Sequence, residues 1–152
     1  MFFVASDIIE ASAVFLFAGR TNTDRDFERY IECVRALDER ARERDAVCIQ
    51  IVDRENTPPS AAWRKRIAES SRQMKSRPCF ALVTESPVIR GVQMAINWIR
   101  PPPFPVTIEA RFDDALRWCV AQRGRPVPSL ITLYDDVRTQ AEKARREVTV
   151  DA

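Results

Sequence analysis

With 152 residues, 45% of them hydrophobic and 30% charged, the chain has the size and balance of one globular domain, enough to bury about 70% of its unfolded surface. A formal charge of +2 is too close to balance to point to nucleic acid as the main partner, and no apolar run reaches the ~20 residues of a membrane span. The start, Met1-Phe2-Phe3-Val4, lacks the basic opening of a secretory signal, so the expected location is cytoplasmic.

Two absences narrow the chemistry further. Without histidine the chain can build no His-dependent triad and no His-ligated zinc site. Its three glycines, Gly19, Gly91 and Gly124, are too few for a phosphate-cradling loop or a dinucleotide fingerprint. Cys33, Cys48, Cys79 and Cys119 form no C-x-x-C pair and each lies in an apolar pattern, so they read as small core residues rather than metal or redox groups. No cofactor is expected.

In chain order, residues 2–9 and then Ala13-Val14-Phe15-Leu16-Phe17-Ala18 read as two strands. The short Glu10-Ala11-Ser12 connection favours antiparallel pairing. Gly19 closes the second strand where the turn needs a residue tolerant of positive φ. Thr23 and Asp26 stand at capping-box spacing. Phe27, Tyr30, Ile31, Val34, Leu37 and Ala41 then mark one face of an amphipathic helix.

The run Ala46-Val47-Cys48-Ile49-Gln50-Ile51-Val52 is apolar on both alternating faces, the pattern of a strand covered by helices on both sides. It ends at Asp53 and Arg54, and the turn formers Asn56-Thr57-Pro58-Pro59-Ser60 lead to a second helix, with Ser60 as its cap. In an open α/β sheet the carboxyl end of such a strand is where ligands and partners are met. Trp63, Ile67 and Met74 make a thin apolar stripe on this helix. Between Arg64 and Arg77 six bases face one acid, which reads as a solvated face or a surface for an anionic partner. This stretch has no aromatic interleaving for stacking on bases.

Cys79 to Thr84 is the next strand, followed by Ser86-Pro87 as N-cap and first helical residue. At 100° per residue, Val88, Ile89, Val92, Ala95, Ile96 and Ile99 form the expected core stripe of the third helix, with Gly91, Met94 and Trp98 on its flank. That arc is wider than one sheet covers. Either the Pro101-Pro102-Pro103-Phe104-Pro105 segment lies over Trp98, or another subunit does. Val106 to Ala110 is a last short strand, and a fourth helix spans residues 112–122, with Asp113 and Asp114 favourable in its first turn.

Gly124 and a stiff 124–128 connector separate this 1–123 domain from a helical extension over 129–152. Leu130, Tyr134, Val137, Ala141, Ala144 and Val148 recur with a period of about 3.5. That spacing suits either docking on the chain's own domain or a seam between chains. The expected fold is thus α/β, a single-domain mixed β-sheet of about five strands packed with about four helices, plus a C-terminal helix.

The order strand, strand, helix, strand, helix, strand, helix, strand, helix resembles the STAS/SpoIIAA-like fold. The resemblance rests on Val14 to Gly19 before a capped helix, on Val47 to Asp53 running into a hydroxyl-bearing helix start, and on Phe112-Asp113-Asp114-Ala115-Leu116-Arg117-Trp118. It covers residues 2–123. It implies a non-catalytic regulatory module and a regulatory serine at the helix start after the third strand. That position lies within Thr57 to Ser60, with Ser60 nearest, although the residues themselves read Ser60 as a plain cap.

The expected function is therefore a regulatory or scaffolding module acting through a protein partner or a homo-oligomer, with no nucleic acid and no membrane span. Met94, Trp98, Tyr134 and Val137 are the interface candidates. Asp53, Arg54, Thr57, Ser60 and Arg64 mark the candidate regulatory or ligand edge. The alternative is a small-molecule or lipid-headgroup site for an anion at that edge, held by Arg54, Arg64 and Arg90, with the proline-rich segment as lid. Asp7, Asp53 and Glu85, the carboxylates near strand ends that acid/base chemistry would need, read as turn and capping residues. The chain is expected not to be an enzyme.

Overall fold

The computed structural model describes residues 1–41 and 45–150. Its elements are β1 (Phe2–Asp7), β2 (Ser12–Phe17), α1 (Asp24–Ala41), β3 (Val47–Val52), α2 (Ala61–Arg72), β4 (Cys79–Val83), α3 (Pro87–Ile99), β5 (Val106–Glu109), α4 (Phe112–Arg123) and α5 (Ser129–Val150). The strands form one five-stranded sheet in the order β1-β2-β3-β4-β5. β1 runs antiparallel to β2, and β2 to β5 run parallel. This is the expected mixed α/β architecture. Among the described residues no helix is long and apolar enough to cross a membrane.

Local sequence sets most element ends. β1 is shorter than the expected 2–9 because Asp7 accepts a hydrogen bond from the Glu10 N–H at 2.8 Å, turning the chain. The Thr23–Asp26 box forms reciprocally: the Asp26 carboxylate accepts from the Thr23 N–H at 2.9 Å, and the Thr23 hydroxyl accepts from the Asp26 N–H at 3.2 Å. Ser60 and Ser86 cap α2 and α3, accepting from the N–H groups of Trp63 and Ile89. Gly124 closes α4 at φ 64°, a left-handed conformation that costs glycine little.

Because the parallel strands follow one another in sequence, right-handed crossovers place α1, α2 and α3 on the same face. There α1 carries the packing. Phe27, Tyr30, Ile31 and Val34 bury against Phe2, Phe15 and Phe17, with edge-on contacts from Tyr30 to Phe2 and Phe15 at 5.9 and 5.4 Å. The opposite face carries α4 and α5 over Val14, Leu16, Val47, Ile49, Ile51 and Ala81. β3 is thus covered on both sides.

One open alternative is decided and one expectation is corrected here. Of the two settings open to the 129–152 extension, docking on the chain's own domain is the one observed (residues 151–152 lie outside the described residues). Leu130, Leu133, Val137 and Ala141 of α5 are buried in the same core as α4, and Val127 of the connector is buried with them. The Ser129 N–H also donates to Glu10 at 3.0 Å, and its hydroxyl meets that of Ser12 at 2.7 Å. The period near 3.5 serves packing onto β1 and β2.

The correction concerns α3, where only one edge of the expected stripe, Ile89, Val92 and Ile96, faces inward. Only Ile89 is fully buried, and Val88, Ala95 and Ile99 are exposed. The helix is rotated by roughly 60° from the expected setting, so that the Ile89–Ile96 line faces the sheet.

Asp38, buried at the end of α1, holds the α2–β4 connection. It accepts from the N–H groups of Lys75 and Ser76 and from the Ser76 hydroxyl, at 2.9, 2.7 and 2.5 Å. Burial opposes its charge, but these hydrogen bonds outweigh burial and hold the carboxyl below its ordinary value of 3.8.

Two predictions follow from these contacts. A chain ending after Gly124 exposes the Val14–Ile49 face and is expected to show no cooperative urea transition; a sharp transition would show that α5 is dispensable. Asp38→Asn places an amide against the Lys75 N–H and is expected to cost about 2 kcal/mol at pH 7 in urea denaturation. A lowered folded-state value means that the Asp38 charge stabilises above about pH 4 and loses that contribution as pH falls through the folded value. The gap between variant and wild type should therefore narrow below about pH 4, and an equal gap at pH 3 and pH 7 would assign the effect to something other than charge.

Candidate functional site

α2 buries only Trp63 and Ser70, and α3 only Ile89. Two helices so thinly anchored leave a groove between them, a cavity of about 150 Å³. Val52, Phe80 and Leu82 of the sheet, Ile67 of α2, and Val92 and Ile96 of α3 are among its apolar lining residues. Polar groups from α3 line it too. Gln93 donates to Asn97 at 2.9 Å, and both face the groove with Arg100. Pro101, Pro102 and Phe104 line the end where α3 leaves. The proline-rich segment therefore borders the groove rather than covering Trp98, which is 90% exposed.

The other side of α3 is apolar and open. Ile99 is 73% exposed, Val88 63% and Met94 59%, and Gly91 and Ala95 between them are exposed as well. A Cβ at Gly91 would meet nothing within 4 Å. Of the interface candidates, Met94 and Trp98 lie on this face. Tyr134 and Val137 do not: Tyr134 stacks on Phe112 at 4.0 Å between ring centroids, and Val137 is fully buried against its own sheet. α5 uses both inside the domain, Tyr134 half-buried and Val137 fully so.

The carboxyl edge of the sheet holds an open cleft of about 410 Å³. Asp53 sits there as a junction. It accepts from the Gly19 N–H at 3.0 Å and from Arg145 at 2.6 Å, and it pairs with Arg138 at 3.7 Å. Its carboxylate thus ties the turn after β2 to α5. Asn56 completes the tie: its amide N–H donates to the Gly19 carbonyl at 2.7 Å, and its carbonyl accepts from Asn22 at 2.8 Å.

The residues expected to form one edge site are divided by the fold. Arg54 lines the carboxyl-edge cleft beside Asp53, Glu85 and Asp113. Arg64 lines the groove and donates to the Pro59 carbonyl at 2.7 Å. Arg90, at the first turn of α3, lines neither. The cleft mixes Arg54, Arg111 and Arg138 with three acids, so it presents no single-sign field for an anion. Thr57 and Ser60 are exposed at the α2 start. Asp7 lies at the β1–β2 turn, paired with Ser12 at the amino-terminal end of β2, and so at the opposite end of the sheet from Asp53.

The thiols are core groups. Cys48, Cys79 and Cys119 are buried and Cys33 is half-buried, all of them free. Contact between Cys79 and Cys119 lowers the first and raises the second. Among the described residues no cluster of Cys, Asp and Glu has the makings of a metal site.

Gln50 is the site residue that sequence reasoning passed over. It is the one polar residue in β3, and it lines the groove. A lone carboxamide in an apolar strand was the available signal.

In comparisons with known proteins, the chain matches no family model, and neither a curated protein nor a solved structure matches it.

Proposed function

We propose that this chain is a non-catalytic regulatory or scaffolding module that works by protein–protein contact, with the outward face of α3 as the seat and a second copy of the chain as its occupant. The observation that carries the reading is the rotated setting of α3: Trp98, Ile99, Val88 and Met94 point to solvent while Gln93 and Asn97 face the groove beside Val92 and Ile96. A contiguous apolar face of this kind marks an interaction surface.

Three features favour a second copy. The face Val88, Gly91, Met94, Ala95, Trp98 and Ile99 carries no charge, so two copies meet without like-charge repulsion. An antiparallel two-fold pairing centred between Met94 and Ala95 sets Trp98 of one chain over the open Gly91 of the other, a self-complementary knob and hole. The four large side chains and their small neighbours offer roughly 600 Å² per chain, so two copies bury about 1,200 Å², the lower bound of a standard interface. The order of elements supports the STAS-like resemblance, which we carry as part of this proposal.

Light scattering after size exclusion tests it. The wild type at about 100 μM, well above the micromolar Kd of a modest interface, is expected at twice the monomer mass. Trp98→Asp, which alters only an exposed side chain, should return it to monomer with its fold intact by circular dichroism. A wild type that stays monomeric at that concentration, or a dimer indifferent to Trp98→Asp, would contradict the reading.

A further inference from the structure

The inner side of α3 carries a second message, independent of its outer face. The α2–α3 groove has three arginines among its lining residues, Arg64, Arg72 and Arg100, and no aspartate or glutamate. In a chain with 22 acids against 24 bases, that one-sided lining selects for negative charge. A helix dipole accounts for a base in the last turn of α2 or at the end of α3. It does not account for the missing acids along the length between them.

The arginines are not equivalent. Arg64 stands at the α2 start, where its guanidinium is held by the Pro59 carbonyl. Arg72 is the last residue of α2 and Arg100 the C-cap of α3. Since α2 leads into β4 and α3 into β5, and those strands are parallel, both helix ends lie at the amino-terminal end of the sheet. The two guanidiniums therefore belong to the same mouth of the groove, the one bordered by Pro101, Pro102 and Phe104. Neither makes an ion pair with a described residue.

The floor adds a polar handle. Gln50 is half-buried between Phe15 and Leu82 in the sheet register. Its carboxamide makes no hydrogen bond with the described residues, although it lines the cavity. The amide is not buried away from solvent, so the groove presents a donor and an acceptor that a ligand can take from water. The volume of about 150 Å³ matches what a benzene-sized body fills.

We infer that the α2–α3 groove binds a small amphipathic carboxylate, its aromatic or short acyl body lying over Phe80 and Leu82 beside the Gln50 amide, and its carboxylate between Arg72 and Arg100 at the mouth. Apolar burial holds the body, and paired guanidiniums give the head its charge-assisted hydrogen bonds.

Chemical-shift titration of the full chain tests this with benzoate and hexanoate, and with benzyl alcohol as the uncharged counterpart. Saturable binding is expected, with shifts at Gln50, Ile67 and Ile96. Binding should weaken at least tenfold for benzyl alcohol and for the Arg72→Ala/Arg100→Ala double variant, whose exposed side chains leave the fold intact. Ile96→Trp should abolish binding by filling the groove, and Trp98→Asp should leave it unchanged, which separates this site from the docking face. No saturable shifts with either carboxylate would overturn the inference. Shifts that persist in Ile96→Trp would place the ligand elsewhere and overturn it too. Benzyl alcohol binding as tightly as benzoate would remove the anion from the account.

Discussion

The sequential order of the parallel strands is the constraint from which the rest of the structure follows. Strands taken in order 2-3-4-5, each joined by a right-handed crossover, deliver every crossover helix to one face. α1 has 18 residues and an aromatic-rich stripe, and it seals the β1–β2 side. α2 and α3 are left to cover β3 to β5 with 12 and 13 residues and few inward apolar side chains. They do so incompletely. The groove between them and the outward turn of α3 are two consequences of that one shortfall.

The other face shows what full coverage looks like. α4 and α5 come after the last strand, free of any crossover, and they settle where the sheet needs them. Ala115 and Cys119 of α4 and Leu130, Val137 and Ala141 of α5 are buried. Polar groups then fix the ends. Asp53 links the β2 turn to Arg138 and Arg145 of α5, and Asp38 holds the chain entering β4. These carboxylates have structural employment, as does Asp26 in its capping box. Trp63 bridges α1 and α2, stacking on Phe27 at 5.3 Å and donating to Asp24 at 2.6 Å. Trp63 thus ties the starts of α1 and α2, and the cavity runs beneath α2 from the Asn56–Pro59 loop to the end of α3.

Much of this was legible from the residues because the signals are local. Thr23 with Asp26, Ser60, Ser86-Pro87 and Gly124 each act within one turn of chain, and each works as its chemistry requires. The two-sided apolar pattern of residues 47–52 announced a covered strand, and the 10–12 connection announced an antiparallel pair.

What was not legible depends on contacts between distant segments. The apolar arc of α3 spans so much of its circumference that periodicity could not choose which part faces the sheet; the sheet contact at Ile89 and Ile96 chose. The α5 spacing near 3.5 is the same whether the helix meets a sheet or a partner helix, so Val137 read as an interface and proved to be core. Arg54 and Arg64 are close in sequence, yet the Pro58-Pro59 loop carries them to different cavities. Gln50 could be seen in the sequence, but its lack of a partner belongs to the fold.

Amide hydrogen exchange along the whole chain, followed from low to high protein concentration, tests the central claim most directly. Local stability follows the burial of apolar contacts, so β2, β3 and α1 are expected to be protected at every concentration. α3 is expected to exchange much faster when dilute and to gain protection as concentration rises. An α3 as protected as α1 at concentrations where the chain is a monomer would contradict the account, because that helix would then be anchored without any second molecule.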